Sequence, residues 1–301
     1  MPELPEMEHY RRMLSARIVP RTIDSIEIGR EKSLNVPADE FKAEVLGKRV
    51  VEVRRRAKHL LFRLEGNREN EREPMHRGGL QRGTRLWPGA SGDRPASSSR
   101  VLLLHLMLGG WMFYGKEEEK PDRTVQVRLG FGENSVYFIG LRLGYLHLLD
   151  DEGIEARLAK LGPEPLDPGF APDHLIAAAG RKHGMLKAVL TDQTVISGIG
   201  SCYSDEICFS AGILPVRQAN TLSEAEWGRL YRAMQSTLRE ALLYGGYMEH
   251  PFFRGDRVTG GYNERCKVYG RGGEPCLRCG SPIRQTEVSG RKCFFCEHCQ
   301  V

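Results

Sequence analysis

The sequence predicts an α+β protein in three parts, and three observations support that fold class. One amphipathic stretch at the N-terminus is followed by many short runs of alternating apolar and polar residues, a pattern typical of a helix leading into a β-sandwich. A proline-rich stretch at 161–173 then precedes several longer helical patterns. The last segment is short, basic and rich in cysteine. We therefore expect domains at 1–160, 161–261 and 262–301.

The first part is predicted to contain one helix and several strands. Apolar residues at near-helical spacing predict a helix over Leu4–Ile18. From 22 to 64 the apolar residues alternate with polar ones, which predicts strands. Residues 66–100 have no periodicity and are rich in Gly, Arg and Ser, so we interpret them as a long flexible insertion. Strand patterns then resume in five short runs, at 101–108, 111–114, 124–129, 135–139 and 145–149.

The second part is predicted to be helical. The clearest helix is the last one, because Ser223 and Glu226 form a capping-box pattern at its start. A glycine turn, SGIGS at 197–201, lies between the second and third helices. Successive backbone N–H groups before a helix N-terminus form a cradle for phosphate, so we predict that Gly200 and Ser201 bind phosphate groups. The four predicted helices cover 173–179, 185–195, 203–211 and 223–244.

The third part carries the strongest motif, a C-x2-C-x16-C-x2-C pattern formed by Cys276, Cys279, Cys296 and Cys299. Two such pairs on two turns place four thiolates tetrahedrally, which is the geometry of structural zinc sites. Clustered CxxC pairs in a cytosolic chain indicate metal binding before disulfides. We therefore predict one structural Zn²⁺ and a zinc-finger β-hairpin. Cys293 forms a competing CxxC with Cys296, and spacing alone leaves both registers open.

Charge and composition indicate the kind of partner. The chain has a formal net charge of +5, which permits a polyanionic partner. Residues 251–301 hold nine Lys or Arg against five Asp or Glu, and six of the eight cysteines. Such a segment more often contacts nucleic acid than small molecules. No stretch supplies the roughly 20 apolar residues that span a bilayer, and the acidic start has no apolar signal core. We expect a cytoplasmic protein without a membrane partner.

The N-terminus suggests a chemistry. Initiator methionine is usually removed before proline, which would expose the Pro2 amine. An α-amino group has a reference pKa of about 7.7–8.0 against about 10.4 for lysine, so it is neutral roughly a few hundred times more often at neutral pH. Such an amine is a ready nucleophile towards a sugar C1′ and would form an imine-type intermediate. Glu3 and Glu6 could shuttle protons, although acidic residues also commonly complement a helix dipole.

The whole chain resembles the formamidopyrimidine-DNA glycosylase and endonuclease VIII family, with the motifs in the family's order. MPELPEME matches its N-terminal signature, and RRRAKHLLF places Lys58 at its β-hairpin lysine. SGIGSCYSDEICFSAGILP resembles its helix–two-turns–helix segment, and the stretch from VYGRGGEPCLRC to CFFCEHCQ resembles its zinc finger. The resemblance favours zinc ligation through 296/299 and implies a base-excision DNA glycosylase with AP lyase activity.

The resemblance also implies residue roles. Pro2 attacks C1′ of the damaged nucleotide as the base leaves, giving a Schiff base, and Glu3 acts as general acid and base. Lys58 supports β-elimination by holding a phosphate near the lesion. Arg291 clamps phosphates, for which a guanidinium is well suited, and assists δ-elimination. The damaged base would be flipped out of the helix. Further DNA contacts are expected from Glu6, Arg142, Arg181, Lys182, Gly200 and Ser201.

Three features depart from the family pattern. Ser201 stands where the family has asparagine, and a hydroxyl offers one donor instead of two. Leu108, Leu141 and Leu143 stand where many members have methionine, arginine and phenylalanine to fill the void left by the everted base. Leucines can wedge bases apart but cannot hydrogen-bond the orphaned partner base. The insertion at 66–100 has no assigned role.

We therefore expect a monomeric, nucleoid-associated enzyme that removes an oxidised base from duplex DNA and cleaves the strand. One alternative keeps the fold but acts on bulky, cross-linked or single-stranded lesions, which an apolar wedge would tolerate. Another alternative is a non-catalytic binder of damaged DNA. The presence of Pro2, Glu3 and Lys58 argues against a binder, since binding alone needs no nucleophilic terminus.

Overall fold

The computed structural model describes residues 1–66 and 100–301, so the predicted insertion lies almost entirely outside the described residues. The N-terminal part begins with helix α1 (Leu4–Ile18), as the sequence predicts. Its further elements follow in chain order: β1 (Arg21–Thr22), β2 (Ser25–Ile28), α2 (Ala38–Val45), β3 (Arg49–Arg56), β4 (His59–Glu65), β5 (Arg100–His105), β6 (Trp111–Gly115), β7 (Val125–Phe131), β8 (Asn134–Ile139), β9 (Tyr145–Leu149) and α3 (Asp151–Leu158).

These strands form a β-sandwich, which confirms the predicted fold class. One sheet has the order β1-β3-β4-β5-β9 and the other the order β2-β7-β8-β6, with antiparallel pairing throughout. The sheets face each other across one apolar core, where the rings of Phe62 and Phe138 meet edge to face at 6.4 Å. Helix α1 adds the fully buried Met7 and Leu14 to this core. The packing fixes where α1, and therefore the N-terminus, lies.

Two short helices of this part, α2 and α3, are absent from the sequence prediction. Helix α2 buries only Phe41 and Val45, and two core positions are too few to establish a helical period. Helix α3 starts at an N-cap, where the Asp150 side chain accepts a hydrogen bond from the Gly153 N–H at 2.8 Å. Packing stabilises α2 and capping stabilises α3, and the spacing of apolar residues shows neither effect.

Two loops at one end of the sandwich project side chains into solvent. Strand β5 ends at His105, earlier than its apolar run predicts, and the chain then turns back through residues 106–110. The backbone of this loop approaches that of a second loop at 140–144 very closely. A Cβ added to Gly140 would lie only 2.1 Å from the Gly109 carbonyl oxygen. The two loops are therefore held side by side.

The second part is helical, as predicted. The capping box at the start of its longest helix is confirmed, since the Glu226 N–H donates to Ser223 Oγ at 3.3 Å and the Ser223 N–H donates to Glu226 Oε2 at 2.8 Å. The helix before it ends at Gly212, whose φ of +70° favours glycine. The helices are α4 (Pro172–Ala179), α5 (Leu186–Thr191), α6 (Ser201–Ala211) and α7 (Glu224–Leu243).

The C-terminal part is a hairpin of β10 (Arg284–Val288) and β11 (Arg291–Phe295). It is docked on α6 by a buried carboxylate, since Asp205 Oδ2 accepts a hydrogen bond from the Phe294 N–H at 3.0 Å. The neighbouring Glu206 accepts from the backbone N–H groups of residues 267–269. Helix α6 thus contacts both the hairpin and the segment that precedes it. It also contacts α1, because the Tyr203 hydroxyl donates to Glu6. Among the described residues, no helix combines the length and apolarity needed to cross a membrane.

Candidate catalytic and DNA-binding site

The Glu3 carboxylate lies where α1 meets the N-terminus of α6. It is only 1% exposed. It accepts hydrogen bonds from the backbone N–H groups of Gly200 at 2.6 Å, Cys202 at 2.9 Å and Tyr203 at 3.4 Å. The positive end of the helix dipole stabilises the carboxylate there. The Gly200 N–H is engaged by Glu3, and the phosphate contact of the glycine turn stays a prediction.

Pro2 is buried directly before Glu3, and its neighbour Met1 contacts Tyr247. The Tyr247 hydroxyl donates to the Met1 carbonyl oxygen at 3.2 Å and lies 3.4 Å from the Met1 amino group. The Met1 carbonyl belongs to the peptide bond that contains the Pro2 nitrogen. The Pro2 nitrogen is therefore one bond from a carbonyl that contacts Tyr247, and removal of Met1 would free it as an amine directly before Glu3.

Lys58 reaches the same place from the turn between β3 and β4. Its side chain is buried, and a Cβ added to Gly200 would lie 2.9 Å from Lys58 Nζ and 2.6 Å from the Glu3 carboxylate. Burial lowers the pKa of Lys58, the charge of Arg291 lowers it further, and Glu3 opposes both. Burial also lowers the pKa of His105 to about 4, with the Lys58 charge acting in the same direction. The neutral imidazole therefore adds no positive charge next to Lys58.

Glu6 is enclosed, as Glu3 and Lys58 are, and its expected DNA contact stays a prediction. Glu6 is 2% exposed and accepts hydrogen bonds from the Glu3 N–H at 2.7 Å, the Tyr203 hydroxyl at 2.5 Å and the Tyr247 N–H at 2.8 Å. Burial raises its pKa to about 7, and the nearby charge of Glu3 adds to the shift. Glu6 connects the start of α1 to α6 and to the segment after α7.

The structure corrects one of the three leucines. Leu108 and Leu143 are 62% and 61% exposed on the two adjoining loops, but Leu141 is fully buried. The Leu141 N–H donates to Gln126 Oε1 at 3.0 Å and its side chain belongs to the sandwich core. It cannot reach DNA without unpacking that core. Arg142, between the two loop leucines, is exposed.

The remaining predicted contacts lie at the surface or at a helix start. Arg291 is exposed on β11, and its charge acts on Lys58. Ser201 is half-buried as the first residue of α6. Arg181 and Lys182 are exposed directly after α4, and no hydrogen bond among the described residues joins their side chains to the site. Their phosphate contacts stay predictions.

The four cysteines of the predicted zinc site are brought together by the hairpin and its flanking turns. All four Sγ atoms lie within 4.8 Å of one another, with Cys276 and Cys299 at 3.8 Å and Cys279 and Cys296 at 3.5 Å. Thiolates about 2.3 Å from a tetrahedral zinc are separated by about 3.8 Å. The donor set therefore fits one structural zinc. The competing thiol of Cys293 is fully buried against α6, and burial raises its pKa to about 12.

Replacing Cys279 with serine is expected to remove the zinc and to weaken DNA binding by at least about tenfold, because the finger depends on its ion. Cys293→Ser is the matched control and should keep one zinc per chain. Elemental analysis and binding titrations with an abasic-site duplex measure both quantities. Full zinc in Cys296→Ser together with zinc loss in Cys293→Ser would contradict the assignment.

Sequence reasoning missed several buried polar residues that organise the site. Lys187 and Asp205 form a fully buried ion pair at 2.6 Å, and Lys187 Nζ also donates to the Ser201 carbonyl oxygen at 3.0 Å. Glu164 is buried next to the turn that carries Lys58. A lysine within the apolar run LKAVL was the available signal for the first pair. Nothing in the local pattern marks Glu164.

Family models match the chain in the order of its three parts. The N-terminal domain of formamidopyrimidine-DNA glycosylase matches residues 1–145, and the H2TH domain of the same enzyme matches 161–250. A zinc finger found in this enzyme and in isoleucyl-tRNA synthetase matches 273–301.

Relatives and solved structures agree with these models over the full length. The chain is 35% identical to a formamidopyrimidine-DNA glycosylase of Geobacillus kaustophilus and 33% identical to one of Desulfitobacterium hafniense, covering 100% of both chains in each case. The Lactococcus lactis enzyme bound to DNA containing an abasic site is similar with a TM-score of 0.82, at 26% identity and 99% coverage of each chain. A complex of a point mutant of that enzyme with DNA containing Fapy-dG gives the same TM-score.

The fold and the site thus define a DNA-binding enzyme of base-excision repair, a DNA glycosylase with a C-terminal zinc finger. The chain belongs to the formamidopyrimidine-DNA glycosylase family, in which AP lyase activity is general.

Proposed function

We propose that this enzyme excises an oxidised purine from duplex DNA and cleaves the strand at the resulting abasic site, acting as a monomer. The observation that carries the proposal is the buried pair of Glu3 and Lys58 at the N-terminus of α6, with the buried Pro2 directly before Glu3. The similar Lactococcus enzyme was solved with Fapy-dG DNA, which supports an oxidised or ring-opened purine. The proposed location is the bacterial nucleoid within the cytoplasm, because the named relatives are bacterial and that is where bacterial DNA lies.

In this proposal Pro2 acts after Met1 has been removed. The Pro2 nitrogen donates its electron pair to C1′, and the glycosidic bond breaks with its electrons leaving on the base, which takes a proton from water. The Glu3 carboxylate then takes the proton of the resulting Pro2 ammonium and delivers it to the sugar ring oxygen. The bond from C1′ to that oxygen breaks, so that the ring opens and an iminium forms between Pro2 and C1′. A carboxylate fixed by three N–H groups is held ready for both transfers.

Strand cleavage requires cations close to the departing phosphate. The iminium acidifies the C2′ proton, and transfer of that proton to the Glu3 carboxylate expels the 3′ phosphate by β-elimination. Lys58, beside Glu3, would hold that phosphate, and Arg291 would clamp a phosphate from the zinc-finger side. Water then hydrolyses the iminium and releases the enzyme.

A cavity of ≈ 310 Å³ next to Tyr247, lined also by Glu249, His250 and Asn263, has room for an everted base.

The test is strand cleavage across duplexes that each contain one defined lesion, with borohydride added in parallel. Cleavage and cross-linking with oxidised or ring-opened purines, and little with undamaged duplex, are the expected results. Cleavage restricted to cross-linked or single-stranded lesions would instead favour the alternative substrate class. Size-exclusion chromatography with light scattering checks the monomer. Because the homologues are glycosylases, a purely non-catalytic binder is not supported.

The exposed Leu108 and Leu143 favour weak selectivity for the opposite base. A side chain that hydrogen-bonds a base typically discriminates by about 1–3 kcal/mol, or about 5- to 150-fold. The two leucines offer apolar contact alone, and Leu141 is buried. We expect cleavage of one good lesion opposite A, C, G and T to vary by less than about tenfold, or about 1.4 kcal/mol. A strong preference for C that disappears in Arg142→Ala would show that Arg142 reads the partner base.

A further inference from the structure

We infer that Glu164 is a positioning residue, which holds the Lys58 turn of the first domain against the glycine turn of the helical domain. The inference rests on the proposed function, because it concerns the delivery of Lys58 to the phosphate that departs during strand cleavage. Glu164 lies in the connection between α3 and α4, and its side chain is only 4% exposed.

The first contact is to the backbone of the turn itself. Arg56 pairs with His59 across β3 and β4, so Ala57 and Lys58 are the two turn residues. Ala57 has φ +52°, a left-handed conformation that non-glycine residues rarely adopt. Glu164 Oε1 accepts a hydrogen bond from the Ala57 N–H at 2.5 Å. This bond holds the residue next to Lys58 in a conformation that the turn alone would not favour.

The second set of contacts uses two arginines that precede the turn. Glu164 forms ion pairs with Arg55 through Oε2 and with Arg56 through Oε1, the latter at 3.1 Å. Arg56 continues across the domain boundary, donating to the Gly162 carbonyl oxygen at 2.8 Å and to Ser197 Oγ at 2.9 Å. Ser197 is the first residue of the glycine turn that leads to Gly200. The carboxylate therefore fixes the Lys58 turn and the glycine turn relative to each other.

The network also includes α1. Arg55 Nε donates to Glu8 Oε2 at 3.2 Å, and Glu8 lies on the helix that begins directly after Glu3. The three segments that carry Glu3, Lys58 and Gly200 thus meet through one buried carboxylate. Because Glu164 binds the segments that carry the reacting groups and lies outside the cluster itself, it acts through Lys58 and is a positioning residue.

Loosening this network would let water reach Lys58. The charged and titratable groups that act on Lys58 or feel its charge are Glu3 next to α1, Glu6 on α1, Arg291 on β11 and His105 on β5. Burial is the main reason that the pKa of Lys58 is low, so hydration would raise it towards its ordinary value. The protonated, phosphate-holding form would then persist to higher pH.

The experiment is single-turnover cleavage of an abasic-site duplex by Glu164→Gln as a function of pH. Glutamine keeps the size of the side chain but removes the charge between the two arginines. We expect cleavage to fall at least about tenfold at neutral pH, while affinity for an abasic-analogue duplex changes less than about threefold. The alkaline limb of the rate profile should move to higher pH. Zinc content should be unchanged.

Glu226→Gln is the matched control. It removes a carboxylate paired with Arg217 at 2.6 Å in the helical domain, away from the site, and glutamine preserves the capping box. It should change thermal stability without moving the pH profile. Equal rates and equal alkaline limbs in Glu164→Gln and the parent enzyme would overturn the inference. A parent enzyme that cleaves no abasic duplex would instead overturn the proposed function.

A second variant decides the matter if Glu164→Gln does not fold. Arg56→Lys keeps a positive charge near Glu164 but cannot reach Gly162, Ser197 and the carboxylate together. We expect the same slower cleavage and the same displacement of the alkaline limb. An Arg56→Lys enzyme with the parent's rate and profile would overturn the inference.

Discussion

Enzyme with an acetylated N-terminus will give no borohydride-trapped cross-link with abasic-site DNA and will cleave that DNA at least about a thousandfold more slowly than enzyme that begins at Pro2. Acetylation converts the terminal amine into an amide, whose electron pair is delocalised and cannot attack C1′. Glu3 and Lys58 stay in place next to the blocked nitrogen, so the loss reports the nucleophile alone. Intact-mass spectrometry before the assay establishes which terminus each sample carries.

Enzyme that retains Met1 is a separate case, because the Met1 amino group lies 3.4 Å from the Tyr247 hydroxyl and is itself within the site. Peptide mapping of any cross-link distinguishes attachment at Met1 from attachment at Pro2. Pro2→Gly, processed to a free glycine amine, should still trap and is the positive control. Equal trapping by acetylated and free enzyme would mean that another group, such as Lys58, is the nucleophile.

Gly200→Ala is expected to lower strand cleavage by at least about a hundredfold. The added Cβ would lie 2.6 Å from the Glu3 carboxylate and 2.9 Å from Lys58 Nζ, distances that real Cβ atoms essentially never show. Glu3 would have to leave the N–H groups of α6 or push Lys58 away, and either movement separates the groups that act on C1′. The requirement is one of space, since Gly200 has φ −134°, which any residue can adopt.

Gly228→Ala provides the control for the same chemical change. Gly228 lies inside α7, where the nearest atom to an added Cβ is Arg232 Nη1 at 3.6 Å. Alanine should stabilise the folded state there by about 0.5–1 kcal/mol, because glycine is unfavourable within a helix. Thermal unfolding and single-turnover cleavage of both variants give the comparison. Cleavage by Gly200→Ala at the parent rate would show that Glu3 and Lys58 do not act from the positions described.

Local patterns were enough to predict the fold class, because each rests on neighbours in sequence. The spacing of apolar residues predicted α1 to the residue, the capping box predicted the start of α7, and the CxxC pattern predicted a zinc site whose register the family resemblance selected. The resemblance of MPELPEME and RRRAKHLLF to one family then drew attention to Pro2, Glu3 and Lys58. These predictions required no knowledge of which distant segments meet.

The prediction that Leu141 enters DNA failed because of burial, which is a property of the folded chain. The sequence also does not show that Glu6 is enclosed by α6. Nor does it show that the Gly200 N–H donates to Glu3, a residue far away in sequence. Sequence by itself thus determined the family and most of the elements, and together with the family resemblance it determined the zinc ligands. Only the tertiary structure decided which polar groups are already paired within the chain, because the hydrogen bonds of a buried carboxylate such as Glu164 join segments that no local pattern connects.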